Sequence, residues 1–382
     1  MSTPSTANAT ADSAAQTRAI PAEQLTQQRG SPHALPPRWL TIDNTEWQIQ
    51  RAWPAKNADA LLAVEALAGG EAQAGGEVRA GWWDEQRLQL LTYGQDPQLK
   101  TLWKWAQRGR VVSHRPAKRA VVHLAEENSY VKVVKGGKAS GILDGIQRAG
   151  PFSGPFVTPE VLHHSDSEVI LSSVNGVGLH DAAALPETLW DTAWRDVLQA
   201  WHEAVTRSES AGIAQTRQSI PVHSAADEAA LLMSWISQVS RYIDDADSAA
   251  RAARRLGAHL QALPAAQLRV CHRDLHDKQL LWSPQGPGLL DVDTACLADP
   301  ALDLGNLRAH ARLRRCQGVW TAQQADVVIS HIDQTAEATA VPEETLRTYE
   351  QAALLRLGCV YAVRPQYAEL AAGLRAAVST TG

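Results

Sequence analysis

The sequence predicts an α+β chain of two lobes, a small antiparallel β lobe followed by a larger helical lobe, and three observations carry that prediction. Across residues 110–175 short apolar runs (VVSH, AVVHLA, YVKVVK and VILSSV) are each bounded by turn residues, the pattern of antiparallel strands. One helix-like stretch, KASGILDGIQRA, falls between the third and later strands, ahead of a Pro/Gly-rich turn, GPFSGPFVTP. Beyond Gly178 the period lengthens. Leu189, Ala193, Trp194, Val197, Leu198, Trp201 and Val205 recur at three- and four-residue spacing, and a second helix is predicted over about 225–243.

The flanking segments complete the division. Residues 1–37 are rich in Ser, Thr, Ala, Gln and Pro, a composition that cannot offset the entropy of ordering, and they predict a disordered tail. Residues 38–109 form an N-terminal extension with a strand-like start (TEWQIQRAW), a Gly/Ala-rich break (AGGEAQAGGEV) and two helix-like stretches, WDEQRLQLL and QLKTLWKWAQ. The β lobe then spans 110–175 and the helical lobe 176–382.

A chain of 382 residues with a net charge of -5 can bury a real core but exerts no global attraction on nucleic acid or anionic membrane. Neither partner is expected. No window reaches the roughly 18 apolar residues of a membrane helix, and no export signal is evident, so the expected location is the cytoplasm. The four cysteines lack CxxC spacing and read as buried thiols in a reducing compartment. The 13 tryptophans, many at helical spacing, read as core anchors and not as a platform for bases. Oligomeric state is left open.

The chemistry lies in residues 270–306, VCHRDLHDKQLLWSPQGPGLLDVDTACLADPALDLGN. A short apolar strand, a polar loop, a strand, a turn and a further strand ending in acids place Asp274 and Asp291 at neighbouring strand ends, able to face one cleft. Asp299 and Asp303 precede or begin a helix, where capping is their simplest role, and Pro300 suits its first turn.

HRDLHDKQ followed by LLDVD resembles the aminoglycoside phosphotransferase and choline kinase-like family, whose pattern is HxDxHxxN, an apolar strand, then DxD or DxE. The resemblance covers about 110–364 and implies a protein-kinase-like two-lobed fold with ATP and Mg2+ as cofactors. It makes Asp274 the catalytic base on the acceptor hydroxyl and Asp291 the principal magnesium ligand, with Asp293 a second contributor. His272 would hold the loop in shape, His276 would touch the transferring phosphate, and Asp303 would brace the loop. Two positions depart from the pattern. Gln279 stands where asparagine is usual, as in maltokinase-like sugar kinases, and would be the second metal ligand. Arg273 replaces the usual glycine, as in protein kinases. Yet only 12 positions (303 - 291) separate Asp291 from Asp303, with no APE motif, so a peptide-binding platform has no room.

Upstream, YVKVVK matches the strand whose lysine contacts the nucleotide phosphates, which assigns that role to Lys132, on the strand face opposite Val131 and Val133. Kinases hold this lysine with a helical glutamate, which KASGILDGIQRA lacks; Asp144 is the nearest substitute. No Gly-rich phosphate loop or P-loop is present. Lys118 and Arg119, in the turn HRPAKRAVV, could cover the phosphates instead. Val174, in SSVNG where the lobes connect, would lie near the adenine. Together these residues imply transfer of the γ-phosphoryl of ATP to a hydroxyl of a small polar acceptor, with a sugar, amino sugar or aminoglycoside the class the resemblance suggests. The alternative from another class is a nucleotide-binding pseudokinase acting as a sensor or scaffold, suggested by Gln279 and the missing helical glutamate.

Overall fold

The computed structural model describes residues 33–55, 62–69, 76–208 and 220–380. Of the predicted tail, residues 1–32 lie outside the described residues. Residues 33–37 carry no regular element, and the His33 backbone N–H donates to the Arg241 carbonyl at 2.8 Å.

The extension folds as an antiparallel sheet in chain order, β1 (Trp39–Ile42), β2 (Thr45–Pro54), β3 (Leu62–Ala68), β4 (Val78–Trp83) and β5 (Leu88–Leu90). Most of the Gly/Ala-rich break falls outside the described residues. WDEQRLQLL, expected to be helical, is instead the β4–β5 hairpin: Asp84 accepts from the backbone N–H groups of Gln86 and Arg87, and Glu85 takes a left-handed φ of 77°. This local side-chain turn competes with helix. Leu88 and Leu90 then face the core in strand alternation around Gln89. QLKTLWKWAQ yields only a short helix, α1 (Leu102–Ala106), which buries Leu102 and Trp105.

A second antiparallel sheet contains β6 (Arg110–Arg115), β7 (Arg119–Leu124), β8 (Ser129–Val134), β9 (Val161–His164) and β10 (Glu168–Ser172), ordered β6-β7-β8-β10-β9. Helix α2 (Ala139–Arg148) lies between β8 and β9 in sequence, so the predicted order of three strands, a helix and two strands is present. Val111, Val122, Val131 and Val133 form its fully buried face.

The helical lobe comprises α3 (Glu187–Arg207), α4 (Ala225–Val239), α5 (Ala246–Ala262), α6 (Ala301–Cys316), α7 (Ala322–Ala338), α8 (Glu343–Val360) and α9 (Ala368–Thr380). Helix α4 opens with a reciprocal Ser224–Asp227 capping box and ends at Val239, passing into a 3-10 turn over Ser240–Tyr242 where the sequence predicted continued helix. Trp194 and Trp201 are fully buried, and Trp190, Trp194 and Trp320 meet edge to face with centroids 5.2 to 5.8 Å apart. Three of the four cysteines are buried; Cys316 is exposed. No described helix is long and apolar enough to cross a membrane.

Short strands between α5 and α6 position the chemistry. β12 (Arg269–Cys271) pairs with β15 (Cys296–Ala298), while β13 (Leu280–Ser283) pairs with both β14 (Gly286–Leu289) and β11 (Val177–Gly178), the strand that follows the connection between lobes.

Candidate functional site

The loop 272–279 is held from beneath by buried carboxylates. Asp303, wholly buried in the first turn of α6, accepts from the backbone N–H groups of His272 and Arg273, both at 2.7 Å, and from Trp201 Nε1 at 3.1 Å. It braces the loop. Helix capping is done by Asp299, which accepts from the Ala301 N–H at 2.8 Å. His272 spans the loop and the strand beyond it, its Nε2 lying 2.8 Å from the Leu290 carbonyl, while its own carbonyl accepts from Thr294 Oγ1. Asn306 donates to the Leu275 carbonyl and accepts from Arg356.

The sequence reading missed Asp277. It is wholly buried and takes both prongs of the Arg314 guanidinium, at 2.8 and 3.0 Å, with His180 Nδ1 at 2.5 Å. Burial raises its pKa, but His180, His310 and Arg314 together outweigh that and hold the carboxyl well below the usual carboxylate range. His276, Asp277 and His310 bring candidate ligand atoms within 4.8 Å of one another, but the carboxylate there is already engaged by a guanidinium. No motif links Asp277 to Arg314, 37 residues later; only the tertiary fold joins them.

Above this floor lies a cleft of about 500 Å³ whose lining includes Asp274, His276, Gln279, Asp291, Asp293 and Arg119. Six of the nine residues singled out for the site therefore share one cavity. Lys132 joins them from β8, its Nζ 2.6 Å from Asp291 Oδ1 and 3.0 Å from Asp293 Oδ2. Burial works against its charge, yet the two carboxylates prevail and its pKa is raised. For Asp291 burial is again the largest influence, outweighed by Lys132, Arg119 and His272, and its pKa is lowered. Asp291 sits in the left-handed region at φ 52°, which aspartate tolerates better than most residues.

Asp144, considered as the partner of Lys132, is exposed, and Lys132 is held by Asp291 and Asp293 instead. Helix α2 reaches the DVD turn through a glycine: a Cβ built on Gly145 would lie 2.0 Å from the Asp293 carbonyl oxygen. A glutamate pair is replaced by direct backbone approach. Arg148, one turn on, donates to the Ala295 carbonyl.

His276 is packed against His310 with ring centroids 4.7 Å apart, and burial followed by the His310 charge pulls its pKa down to about 3, so the ring is neutral at pH 7. Its Nδ1 accepts the Lys278 N–H at 3.1 Å, and the Gln279 carboxamide nitrogen lies 3.4 Å from its Nε2. Val174 does not line this cleft; it packs over Gly288 beside Leu281, where a Cβ on Gly288 would meet it at 2.6 Å. Lys118 is exposed in the β6–β7 turn and outside the cleft lining, whereas its neighbour Arg119 lines the cleft. That turn is tight, with Ala117 at φ 55° and its N–H bonded to the buried Asp96.

Three solved structures are similar to this chain at low identity. A GDP and kanamycin complex of an aminoglycoside 2″-phosphotransferase of type IIIa is 14% identical, with 73% of this chain and 98% of that one covered at a TM-score of 0.51. A gentamicin complex of the type IIa enzyme is 14% identical, with 76% and 98% covered at 0.50. An aminoglycoside 3″-phosphotransferase from Streptomyces rimosus ATCC10970 is 19% identical, with 69% and 96% covered at 0.49. No curated protein matches the chain. The phosphotransferase enzyme family profile matches residues 146–336, half of the chain, and this span contains the loop, the DVD turn and Asp303 but begins after Lys132. The chain has the protein-kinase-like fold of the aminoglycoside phosphotransferases and belongs to the phosphotransferase enzyme family.

Proposed function

We propose that the chain transfers the γ-phosphoryl group of ATP to a hydroxyl of a small polar molecule, with Asp274 orienting that hydroxyl and accepting its proton. The observation that carries this reading is the convergence of Asp274, Asp291, Asp293 and Gln279 in one cleft that Lys132 enters from the β lobe. Family membership implies phosphoryl transfer to a hydroxyl. Such transfer needs positioning and charge neutralisation more than covalent chemistry from the protein.

The donor set fits magnesium, which prefers oxygen ligands. Asp291 and Asp293 each give one oxygen to Lys132 and keep another, and Gln279 supplies a carboxamide oxygen. When bound, the ion would neutralise charge on the phosphates. His276 Nδ1 accepts the Lys278 N–H, and burial keeps the ring neutral at pH 7. His276 therefore brings no positive charge to the phosphate. Lys132 and Arg119 are the cations proposed for the phosphates, with Lys118 flanking them. Val174, over Gly288 and beside Leu281, would form the adenine slot.

From Asp291 the chain passes through one 3-10 turn and β15 directly into α6, which favours a small acceptor over a peptide. The acceptor class we propose is a sugar, a class that includes amino sugars and aminoglycosides; gentamicin and kanamycin are bound in two of the solved structures above. The test is ADP release from ATP and Mg2+ across sugars, amino sugars, aminoglycosides and amino alcohols, repeated with Asp274→Ala. Acceptor-dependent turnover that survives Asp274→Ala unchanged would sink the mechanism. ATP binding with no turnover on any acceptor would favour a nucleotide sensor.

A further inference from the structure

The cleft that holds Asp274 is lined by seven arginine and lysine side chains against three aspartates. Several of the seven are balanced by protein carboxylates. Arg314 chelates Asp277, Arg356 lies 3.6 Å from Glu228, and Arg51 lies 3.5 Å from Glu65. Arg115, Arg119, Lys278 and Arg364 have no carboxylate within 4.0 Å among the described residues. Arg115 lies over the Trp53 ring and Arg364 over the Tyr361 ring, at 4.8 and 4.3 Å from the centroids. The Arg364 Nε is buried without a hydrogen-bond partner.

These cations fall into two groups. Arg115 and Arg119 line the cleft with Asp291 and Asp293 but not the second cavity. Arg51, Lys278, Arg314, Tyr361 and Arg364 line the cleft and also a second cavity of about 540 Å³, which Asp274, Asp291 and Asp293 do not reach. The second group therefore stands where the cleft opens into a cavity that the three aspartates do not line. Arg364, partly buried with an unpartnered Nε and no carboxylate beside it, is costly to keep charged, and a bound oxyanion relieves that cost through charge-assisted hydrogen bonds to which the more exposed Lys278 and Arg51 can add. Tyr361, buried among them, adds a phenolic hydroxyl. A polycation would set ammonium groups against this cluster.

We propose that the acceptor is an anionic sugar derivative whose phosphate or carboxylate is held by Arg51, Lys278 and Arg364 at the junction of the two cavities, while a hydroxyl of the same molecule faces Asp274. This rests on the phosphotransferase reading of the cleft and narrows it. Arg51 comes from β2, so the N-terminal sheet supplies one wall of the acceptor end.

Two measurements test it. In the ADP-release assay, sugar phosphates and sugar acids are compared with their neutral and amino counterparts of the same ring; anionic members should give kcat/KM about tenfold higher or more, as one or two charge-assisted hydrogen bonds would confer. The phosphate and carboxylate arms tell which oxyanion the site takes. Asp274-dependent turnover of neutral or amino members at equal or better kcat/KM would overturn the inference and leave the phosphotransferase reading intact. Calorimetric binding of the same sugar phosphates and sugar acids, with Mg2+ and a non-hydrolysable ATP analogue present, does not depend on turnover. The expected result is binding weakened about tenfold or more by Lys278→Gln combined with Arg364→Gln, and partly restored when position 364 is changed as Arg364→Lys. Lys278 is exposed, so Lys278→Gln alone gives a variant whose folding is not in question. Affinity unchanged in the variants, or no binding of any anionic member to the wild type, would overturn the inference.

Discussion

The aspartates of the segment 272–303 divide by what lies around them. Asp277 and Asp303 are wholly buried, and each is surrounded by donors from the loop or from the helices beneath it. Asp274, Asp291 and Asp293 line the cleft, and among the described residues the last two pair with Lys132 alone. Same residue type, same stretch of chain, yet one set holds the loop and the other faces whatever enters. The difference teaches that a carboxylate's job is set by its donors, which sequence spacing does not record. Removing a floor carboxylate should therefore cost folding, and removing a cleft carboxylate should cost turnover.

The largest effect expected is from the cleft set. Asp274→Asn should lower acceptor-dependent ADP release by about 10²- to 10⁴-fold while the thermal midpoint stays put. From the floor, Asp277→Ala should behave in the opposite way, because it strands the Arg314 guanidinium in the interior and costs on the order of 3–5 kcal/mol in urea unfolding. A stable, inactive Asp277→Ala protein would break the division.

How far the division could be foreseen differs residue by residue. The loop itself, Asp291, and Lys132 on the face opposite Val131 and Val133 were legible because strand alternation and a dense local motif both constrain them. Helix α3 was legible from its apolar stripe. Asp277 was not, since it sits inside the motif like a spacer and acquires meaning only when α6 brings Arg314 to it. Nor was the Gly145 contact, because one glycine in a helix looks like a weak position until the DVD turn is placed against it. The β1–β5 sheet was obscured for another reason. Its β4–β5 turn is rich in Asp, Glu, Gln and Arg, residues that read as helix unless the Asp84 side-chain turn is recognised.

Gly145 gives a third test, aimed at the support of the cleft set. Gly145→Ala places a methyl 2.0 Å from the Asp293 carbonyl oxygen, which cannot be accommodated unless α2 or the DVD turn moves. The expected cost is about 1–3 kcal/mol, despite the better helix propensity of alanine, together with weaker ATP binding by calorimetry. Unchanged stability and binding would mean that α2 does not fix the position of Asp293.

The β lobe has its own buried brace, and there the comparison can be made through pH. Asp96 accepts from the Ala117 and Gln98 N–H groups and lies 3.1 Å from His114 Nε2. Burial raises its pKa, but His114 and the two N–H groups outweigh that and hold it below 3.8. Below that value the unfolded chain takes up the proton first. The Asp96 contribution is fully present above pH 3.8 and is lost as pH falls through the lower folded value. Urea unfolding from pH 5 downward should show Asp96→Asn less stable than wild type at pH 5 and converging with it at lower pH. Parallel curves would mean that the Asp96 charge adds nothing to its hydrogen bonds.

The smallest effect expected is at Arg273, where the floor meets the cleft. Its backbone is left-handed, with φ 75°, and its N–H donates to Asp303 at 2.7 Å. A side chain in that region costs about 1–2 kcal/mol, whereas glycine adopts it freely but loses about 0.5–1 kcal/mol more entropy on folding. Arg273→Gly should therefore be neutral or stabilising by up to about 1 kcal/mol in urea, a balance that the loss of the arginine charge near Asp227 and Glu228 shifts only slightly. Asp303 grips the main chain at this position and has no need of the guanidinium, so ADP release should persist. A loss of turnover at full stability would place the Arg273 side chain among the groups that act in the cleft, and the boundary between the two sets of aspartates would have to be drawn through the loop itself.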